Sequence, residues 1–351
     1  MESTTVGWGI DRHFGGQLIH TVDGGRAWRN VTPPGVSFHV VINTTWDVNA
    51  PPPIGHNTVT WFQNGSIART VTLLSKTANG SGRVLFSETT DGGQHWRQWT
   101  VSLPQLNVAF IFDPILTQLT FVNANDGWLV VGPGVSSAAG MEYLGMELWH
   151  TSDGGHTWVK VSQISGRTWI TLDALSFNTA SSGWLVESKV NQNPILLHTT
   201  NAGRTWRQVR LARLVPDSTP SFARARGLLV VSPANHLGRV EVLESGDAGQ
   251  HWGPARPVPL PTSIFVGLKI ATNNGEVLWD LTRHTLWRSM NGGLTWSVQS
   301  RSPVLTENPF LDGVSRHATW AWNATVGKPS TMARSINGGR TWMSWTPILV
   351  R

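Results

Sequence analysis

One segment of eight residues recurs seven times along this chain of 351 residues. Each copy begins with Thr or Ser, has Asp or Asn at its third position and glycine at its fifth, and ends in Trp. The copies are Thr21–Trp28, Thr89–Trp96, Thr151–Trp158, Thr199–Trp206, Ser245–Trp252, Ser289–Trp296 and Ser335–Trp342. A repeated unit that cannot bury its own apolar face must stack on its neighbours, so the chain is predicted to fold as an array of similar units.

The spacing of the copies predicts the size of each unit. Successive Asp or Asn positions are 68, 62, 48, 46, 44 and 46 residues apart. A period in the mid-forties fits four short strands with their turns, which is one propeller blade. The two longer intervals are therefore expected to contain insertions, at residues 33–56 and 64–83 in the second unit and at 132–145 in the third.

The apolar pattern within a period indicates strands. In the fourth unit the expected strands are Ile170–Phe177, Gly183–Glu187, Ile195–Thr200 and Thr205–Val209, which are rich in β-branched and aromatic residues. No stretch of a dozen residues shows helical periodicity with caps. We therefore predict an all-β chain: a seven-bladed β-propeller of four-stranded antiparallel blades that forms a single domain over residues 1–351. Its apolar tail, Pro347–Arg351, is expected beside the first unit, where it helps to close the ring.

The repeated segment is predicted to build the turn between the third and fourth strands of each blade. The short side chain at its third position can accept backbone N–H groups of its own turn, glycine supplies a left-handed backbone angle, and the final Trp can be buried between blades. The residues at the third position are Asp23, Asp91, Asp153, Asn201, Asp247, Asn291 and Asn337, and the final residues are Trp28, Trp96, Trp158, Trp206, Trp252, Trp296 and Trp342. Because Asn replaces Asp in three copies, the charge is dispensable. A structural role is therefore favoured over catalysis or metal binding.

These segments resemble the Asp-box, or BNR repeat, over almost the whole chain. Asp-boxes occur in sialidases, two-propeller xyloglucanases, sortilin-type receptors and photosystem II assembly-factor propellers. A Gly-Trp pair in the second strand, as at Gly7–Trp8, Gly127–Trp128 and Gly183–Trp184, is most similar to the photosystem II assembly factors and their bacterial relatives. The resemblance implies a propeller with chaperone-like or complex-assembly roles.

Composition excludes several classes of function. The absence of cysteine rules out disulfides, thiolate catalysis and zinc–thiolate sites. The net charge is +6, yet only 14% of the residues are charged and none form a dense basic run, so nucleic-acid binding is not expected. No metal or cofactor motif is present, and no apolar run has transmembrane length. An extracytoplasmic, monomeric protein is expected, with its leader outside this chain, and a cytoplasmic location stays open.

A ligand site is expected on the face opposite the Asp-box turns, which we call the mouth, because variable loops on a rigid scaffold usually carry such sites. Several converging arginines there could bind an anionic group. The candidate binding residues are Arg12, Arg69, Tyr143, Arg239 and Arg283. The alternative is that these arginines are solvated loop residues scattered around the rim.

Catalysis by glycoside hydrolysis is the competing hypothesis. The resemblance to sialidases implies an arginine triad, a Tyr–Glu nucleophile pair and an F-R-I-P stretch, but this chain lacks that stretch. Its only tyrosine, Tyr143, lies in an inserted loop beside Glu142. Other glycosidases need two carboxyl groups about 5–10 Å apart, for which Asp47 and Glu142 are weak candidates. The favoured hypothesis is a non-catalytic binding scaffold whose mouth recognises an anionic protein segment or glycan.

Overall fold

The computed structural model describes the residues that the following ranges cover: 3–11, 16–36, 38, 58–76, 82–104, 106, 114–133, 146–164, 170–189, 195–209, 221–223, 226–231, 241–247, 249–257, 269–270, 277–282, 285–292, 294–301, 310–313, 315, 317–323 and 331–350. These residues form strands and turns, and no helix lies among them. Nothing in this part of the chain has the helical length and apolar character needed to cross a membrane. The all-β prediction is confirmed.

Seven four-stranded sheets account for the strands in the described ranges. Sheet 1 contains β1 (Gly7–Asp11), β2 (Gln17–Thr21), β3 (Ala27–Asn30) and β28 (Ile348–Val350). Sheet 2 contains β4 (Thr58–Phe62), β5 (Ala68–Lys76), β6 (Gly82–Thr89) and β7 (Arg97–Leu103). Sheet 3 contains β8 (Pro114–Phe121), β9 (Gly127–Pro133), β10 (Met146–Thr151) and β11 (Val159–Ile164).

In each of the remaining four sheets the four strands are consecutive along the chain. Sheet 4 contains β12 (Ile170–Phe177), β13 (Gly183–Lys189), β14 (Ile195–Thr199) and β15 (Arg207–Val209). Sheet 5 contains β16 (Ser221–Ala223), β17 (Arg226–Val231), β18 (Glu241–Ser245) and β19 (Arg256–Pro257). Sheet 6 contains β20 (Lys269–Ile270), β21 (Leu278–Thr282), β22 (Thr285–Ser289) and β23 (Ser297–Arg301). Sheet 7 contains β24 (Phe310–Gly313), β25 (Thr319–Asn323), β26 (Thr331–Ser335) and β27 (Met343–Trp345).

Sheet 1 differs from the others because its fourth strand comes from the other end of the chain. β1, β2 and β3 are antiparallel, whereas β28 runs parallel to β3 at the edge of the sheet, with Leu349 opposite Trp28. The N–H of Ile348 also donates to the carbonyl of Arg26 at 3.0 Å. The C-terminal tail therefore lies beside the first unit, as the sequence analysis expects, and it covers an edge that would otherwise be unpaired.

The second unit departs from its predicted layout. Residues 64–83 were expected to be a polar insertion, but β5 occupies Ala68–Lys76 and β6 begins at Gly82. Eight residues of β5 pair with β6, and Val71 and Thr72 are fully buried. The expectation is wrong because alternating Thr and apolar residues satisfy a strand that is packed on both faces, although the segment looks polar by composition.

The core consists of separate apolar layers between neighbouring sheets. Sheets 2 and 3 share Phe86, Phe121 and Trp149, while sheets 3 and 4 share Trp128 and Phe177. Smaller layers join sheets 1 and 2 and sheets 6 and 7. A further layer joins sheet 7 to sheet 1. Such stacking holds each unit by burial against its neighbours, as the repeat predicts.

Candidate functional site

The Asp-box turns are held by a buried hydroxyl group at their first position. In sheet 2, the Thr89 hydroxyl donates to Oδ1 of Asp91 at 2.9 Å and accepts the N–H of Gly93 at 2.9 Å. All seven of these Thr and Ser residues are at most 3% exposed, and each donates to the Asp or Asn two residues later. A buried hydroxyl satisfies two polar groups at once here, which stabilises the hairpin.

The Asp or Asn side chain in turn accepts the backbone N–H four residues later. For Asp91 this donor is His95 at 3.0 Å, and for Asn201 it is Thr205 at 2.9 Å. The second side-chain atom also has a partner: Asp91 Oδ2 lies 2.7 Å from the His95 ring, whereas Asn201 Nδ2 donates to the Thr205 hydroxyl at 2.8 Å. Carboxylate and amide therefore serve equally well in this position, because either one supplies the acceptor that the turn requires.

These contacts determine what the Asp-box carboxylates can do chemically. The N–H of His95, followed by its side chain, lowers the pKa of Asp91 to about 2. The corresponding contacts from His251 lower the pKa of Asp247 to about 2. A carboxylate that stays ionised and is occupied by its own turn is a poor proton donor near neutral pH. The Asp-box residues therefore act as scaffolding.

A second repeated turn joins the first and second strands of several sheets. It begins with a short acceptor, such as Asn123, whose Oδ1 accepts the N–H groups of Asn125 and Asp126, both at 2.7 Å. The same type of turn starts at Ser3, Asn64, Thr179 and Ser315. Each acceptor lies five residues before the second position of the next strand, and this spacing can be recognised in the sequence alone.

The Asp-box is tied to this second turn within its own sheet. The N–H of the residue after Asp or Asn donates to a carbonyl of the turn: Gly92 to Ser66 at 2.8 Å, and Gly154 to Asn125 at 3.0 Å. Corresponding bonds run from Gly24 to Thr5, from Ala202 to Ser181 and from Gly338 to His317. The two turns of a sheet thus form one hydrogen-bonded end.

Next to each Asp-box, a cross-strand pair joins the strand that leads into the Asp-box to the strand before it. In three sheets the pair is Trp and His with stacked or tilted rings: Trp8–His20, Trp128–His150 and Trp184–His198, with centroids 4.0–4.8 Å apart. In sheets 6 and 7 it is Trp and Arg, with Arg288 and Arg334 each 5.4 Å from the indole centroid. The histidines are thus repeat positions, and burial lowers the pKa of all three.

Arg69 was predicted to line the mouth, and this prediction is wrong. In sheet 2 it takes the position that Trp holds in five of the other sheets, directly opposite Glu88 and one residue from the end of the strand pair at Thr89. Its side chain is 5% exposed, its Nη2 lies 2.7 Å from Glu88 Oε1, and its guanidinium lies 4.2 Å from the Phe121 ring. Arg69 therefore lies at the Asp-box end as half of a buried ion pair. The prediction fails because residues 64–83 contain the strand β5 and not an inserted loop.

These paired positions also connect one sheet to the next. His20 Nε2 lies 2.8 Å from the carbonyl oxygen of Gly65, and Arg69 Nη2 donates to Ala124 O at 2.8 Å. Arg334 Nη1 donates to Thr4 O at 2.6 Å. The acceptors are equivalent, since each follows the first residue of a turn: Ser3, Asn64 or Asn123. Sheet 7 thus contacts sheet 1 in the way that sheet 1 contacts sheet 2 and sheet 2 contacts sheet 3.

Two further contacts repeat this equivalence. Trp345 donates its indole N–H to Gly25 O at 2.7 Å, as Trp99 does to Gly155 O at 3.0 Å. Gly25 faces Met332 of the preceding sheet, and in the same manner Gly155 faces Phe86, Gly203 faces Leu148 and Gly339 faces Leu286. The contacts between the last and first sheets are therefore those of an internal junction.

The other predicted site residues lie outside the described residues. These are Arg12, Asp47, Glu142, Tyr143, Arg239 and Arg283. The connections between second and third strands, where the mouth was predicted, also lie there: residues 12–15, 77–81, 134–145, 190–194, 232–240, 283–284 and 324–330. Within the described ranges, no group of three or more His, Asp or Glu side chains could hold a metal ion.

Comparison with known families supports the resemblance to Asp-box proteins. Residues 106–257 match the family model described as photosynthesis system II assembly factor YCF48, a BNR family. No curated protein matches the chain. The resemblance of the chain to Asp-box (BNR) repeat proteins, and to photosystem II assembly-factor propellers among them, is thus confirmed.

Solved structures resemble the chain at low identity. YCF48 bound to a D1 peptide is 17% identical with a TM-score of 0.45, and the match covers 67% of this chain and 70% of that one. YCF48 from Cyanidioschyzon merolae is 16% identical with a TM-score of 0.47, covering 84% and 86%. A prolyl endopeptidase is 11% identical with a TM-score of 0.52, covering 97% of this chain and 50% of that one. At these identities the matches concern the fold alone.

Proposed function

We propose that this Asp-box repeat protein is a seven-bladed closed propeller that binds a protein segment at its mouth and catalyses no reaction. The observation that carries the proposal is the saturation of the repeated polar residues. The Asp-box hydroxyls, carboxylates and amides hydrogen-bond within their own turns. These repeated polar residues are therefore scaffolding, and recognition of the protein segment falls to the loops at the opposite end.

Closure of the ring is supported by the junction between sheets 7 and 1. Arg334–Thr4, Trp345–Gly25 and Met332–Gly25 reproduce contacts found at internal junctions. The parallel pairing of β28 with β3 joins the two ends of the chain at the same place. A rigid closed ring provides fixed anchor points for variable loops, which suits a binding protein.

The class of ligand follows from the family that the repeats resemble. The matching family model is that of an assembly factor, and YCF48 itself has been solved with a D1 peptide bound. By that precedent the ligand is a protein segment. We further propose that the protein is a monomer and works outside the cytoplasm, and that arginines of the inserted loops favour an anionic segment.

Peptide selection tests the binding proposal. A random peptide library is selected against the immobilised protein, and the affinity of an enriched peptide is measured by fluorescence anisotropy. Reversing the charge at Arg239 and Arg283, which belong to second-to-third-strand connections, should weaken binding. Charge reversal at Arg204, an exposed residue of an Asp-box turn, should leave peptide binding unchanged. The proposal fails if no peptide is enriched, or if only the Arg204 variant loses binding.

A hydrolysis assay tests the non-catalytic part of the proposal. Fluorogenic sialosides and a panel of β-glucans are incubated with the protein, and no turnover is expected. Turnover that disappears in Asp47→Asn or Glu142→Gln would instead establish a glycoside hydrolase. Heat-denatured protein provides the background rate.

A further inference from the structure

Exposed apolar side chains are concentrated on one arc of the molecule. Ten large apolar side chains are exposed among the described residues, and nine of them belong to sheets 6, 7 and 1. Those nine are Ile10, Val22, Met290, Leu294, Val298, Ile336, Met343, Ile348 and Val350. Single exposed apolar residues are normal on a protein surface, but a concentration on three consecutive sheets points to an interaction surface.

Three Asp-box turns in this arc have an apolar residue at their tip. Val22, Met290 and Ile336 occupy the second position of their turns and are 64%, 42% and 61% exposed. In the other four sheets this position holds Thr90, Ser152, Thr200 and Gly246. Because equivalent positions lie at the same end of each sheet, the three apolar tips project on one face. We call Val22, Met290 and Ile336 the apolar tips.

Arginines lie beside these tips. Arg26 and Arg340 are exposed and occupy the sixth position of the turns in sheets 1 and 7. The Arg334 guanidinium from sheet 7 lies against Gly24, and that of Arg288 from sheet 6 lies against Gly338. Arg340 and burial together lower the pKa of Arg288, burial being the larger cause. Positive charge thus accumulates around the apolar tips.

Negative charge is nearly absent from the same three turns. Two of them have Asn at the third position, Asn291 and Asn337, and only the first has a carboxylate, Asp23. Asp23 accepts the N–H groups of Arg26 and Ala27 and the hydroxyl of Thr21. By contrast, the turns of sheets 2, 3 and 5 combine a polar or glycine tip with Asp.

We propose that the Asp-box turns of sheets 6, 7 and 1 form a surface that adsorbs to anionic lipid membranes. Apolar side chains on turn tips can enter the boundary between headgroups and acyl chains, while arginines at the same level attract anionic headgroups. The overall charge of +6 is complementary to such a surface. Adsorption through this face leaves the opposite end free for a protein segment.

The same features argue against a second copy of the chain as the occupant. A two-fold dimer brings the same patch of both copies together. Arg26, Arg288, Arg334 and Arg340 would then approach their own counterparts with only Asp23 to offset them. Apolar tips on separate sheets, which pack roughly 10 Å apart, also do not form the continuous apolar face of a stable dimer. Binding to a lipid surface requires neither a continuous apolar face nor a protein partner of complementary shape.

Vesicle sedimentation tests this proposal. The protein is mixed with sucrose-loaded vesicles of phosphatidylcholine, with and without phosphatidylglycerol, and the bound fraction is measured at low and physiological salt. The triple variant Val22→Thr/Met290→Thr/Ile336→Thr places threonine at the three apolar tips. Threonine already occupies this position in two other turns, as Thr90 and Thr200, so the variant should fold normally. Its matched control is Val159→Thr, which changes a 63% exposed residue of sheet 3. The charge variant is Arg26→Glu/Arg340→Glu, and its control is Arg204→Glu at the equivalent position of sheet 4.

The expected result is binding that depends on phosphatidylglycerol and weakens with salt. Partitioning should fall by roughly tenfold or more in the triple variant and in the charge variant, and neither control should change it. The proposal is overturned if the wild-type protein does not bind phosphatidylglycerol vesicles, or if both variants bind as it does. It is also overturned if the triple variant abolishes concentration-dependent self-association instead of lipid binding. The peptide-binding assay is independent of these outcomes, since it uses the opposite end.

Discussion

Trp345 donates its indole N–H to the carbonyl oxygen of Gly25 at 2.7 Å, although the two residues are 320 positions apart in the sequence. Trp99 makes the equivalent bond to Gly155 at 3.0 Å between sheets 2 and 3. The junction between the ends of the chain is therefore built from the same contact as an internal junction. This equivalence supports a closed ring.

Trp345→Phe tests the contribution of this bond. The change removes the indole N–H while it retains an aromatic ring against Trp320, whose centroid lies 5.8 Å away. We expect the free energy of unfolding to fall by about 1–2 kcal/mol, because Gly25 O loses a partner and some packing is lost. Trp99→Phe is the matched variant and should lower the free energy of unfolding by a similar amount. Chemical denaturation measures this quantity for both variants. A cost for Trp99→Phe alone would show that the end junction is not formed in solution.

The buried Asp-box hydroxyl can be tested with Thr89→Val. Valine keeps the shape of threonine but leaves the N–H of Gly93 and Oδ1 of Asp91 without the hydroxyl that now pairs with them. We expect a loss of about 1–3 kcal/mol in the free energy of unfolding. Thr90→Val, at the exposed neighbouring residue, should change it by less than about 0.5 kcal/mol. Equal effects of the two variants would contradict the bridging role.

Gly155→Ala separates steric clash from backbone strain. Gly155 has a φ of 96°, and a Cβ there would lie 2.5 Å from Cε2 of Phe86. Gly35 has a φ of 71° but nothing within 4 Å of such a Cβ. Gly35→Ala should therefore cost about 1 kcal/mol for the backbone alone, and Gly155→Ala about 2–4 kcal/mol. Thermal unfolding of both variants checks the difference, and similar melting temperatures would mean that Gly155 does not pack on sheet 2.

Acid stability should depend on Asp91 and Asp247. Hydrogen bonds lower the pKa of each to about 2 in the folded protein from an ordinary value of 3.8. Their stabilising contribution is therefore present above about pH 4 and is lost as the pH falls towards 2. Asp91→Asn/Asp247→Asn should leave the melting temperature at pH 7 nearly unchanged, because Asn occupies this position in three other turns. The double variant should also lose less of its melting temperature than the wild-type protein between pH 4 and pH 2.

The reverse substitution provides the control for acid stability. Asn201→Asp introduces a carboxylate into a turn with the same backbone contacts, and Thr205 can donate to it as Thr157 donates to Asp153. This variant should show a steeper loss of melting temperature below pH 4. If neither substitution changes the acid dependence, other groups control it.

The repeats predict most of the fold because each copy contains its own turn chemistry. The spacing of Thr, Asp, Gly and Trp indicates where the hairpins lie, and the strands expected in the fourth unit agree closely with β12–β15. The second unit departs from its prediction because β5 mixes Thr with apolar residues, so the segment resembles a polar insertion by composition. The spacing of five residues from Asn64 to Arg69 equals that from Asn123 to Trp128. This spacing predicts where β5 begins.

The surface features were harder to predict because they depend on neighbouring sheets. Arg69 looks like a solvated arginine until its register with Glu88 and its contact with Phe121 are known. The arc of apolar tips likewise becomes apparent only when sheet 7 is adjacent to sheet 1, which brings Ile336 and Val22 together. The predicted mouth residues, such as Arg239 and Tyr143, stay predictions.

Distances between Asp-box tips test ring closure most directly. The chain has no cysteine, so pairs of spin labels can be attached at introduced cysteines without background. Three pairs are compared by pulsed electron paramagnetic resonance: 22 with 336, 90 with 152, and 22 with 200. If sheets 7 and 1 are neighbours in a closed ring, the 22–336 distance should equal that of the adjacent pair 90–152 and be shorter than 22–200. A 22–336 distance longer than 22–200 would show an open array and contradict the account.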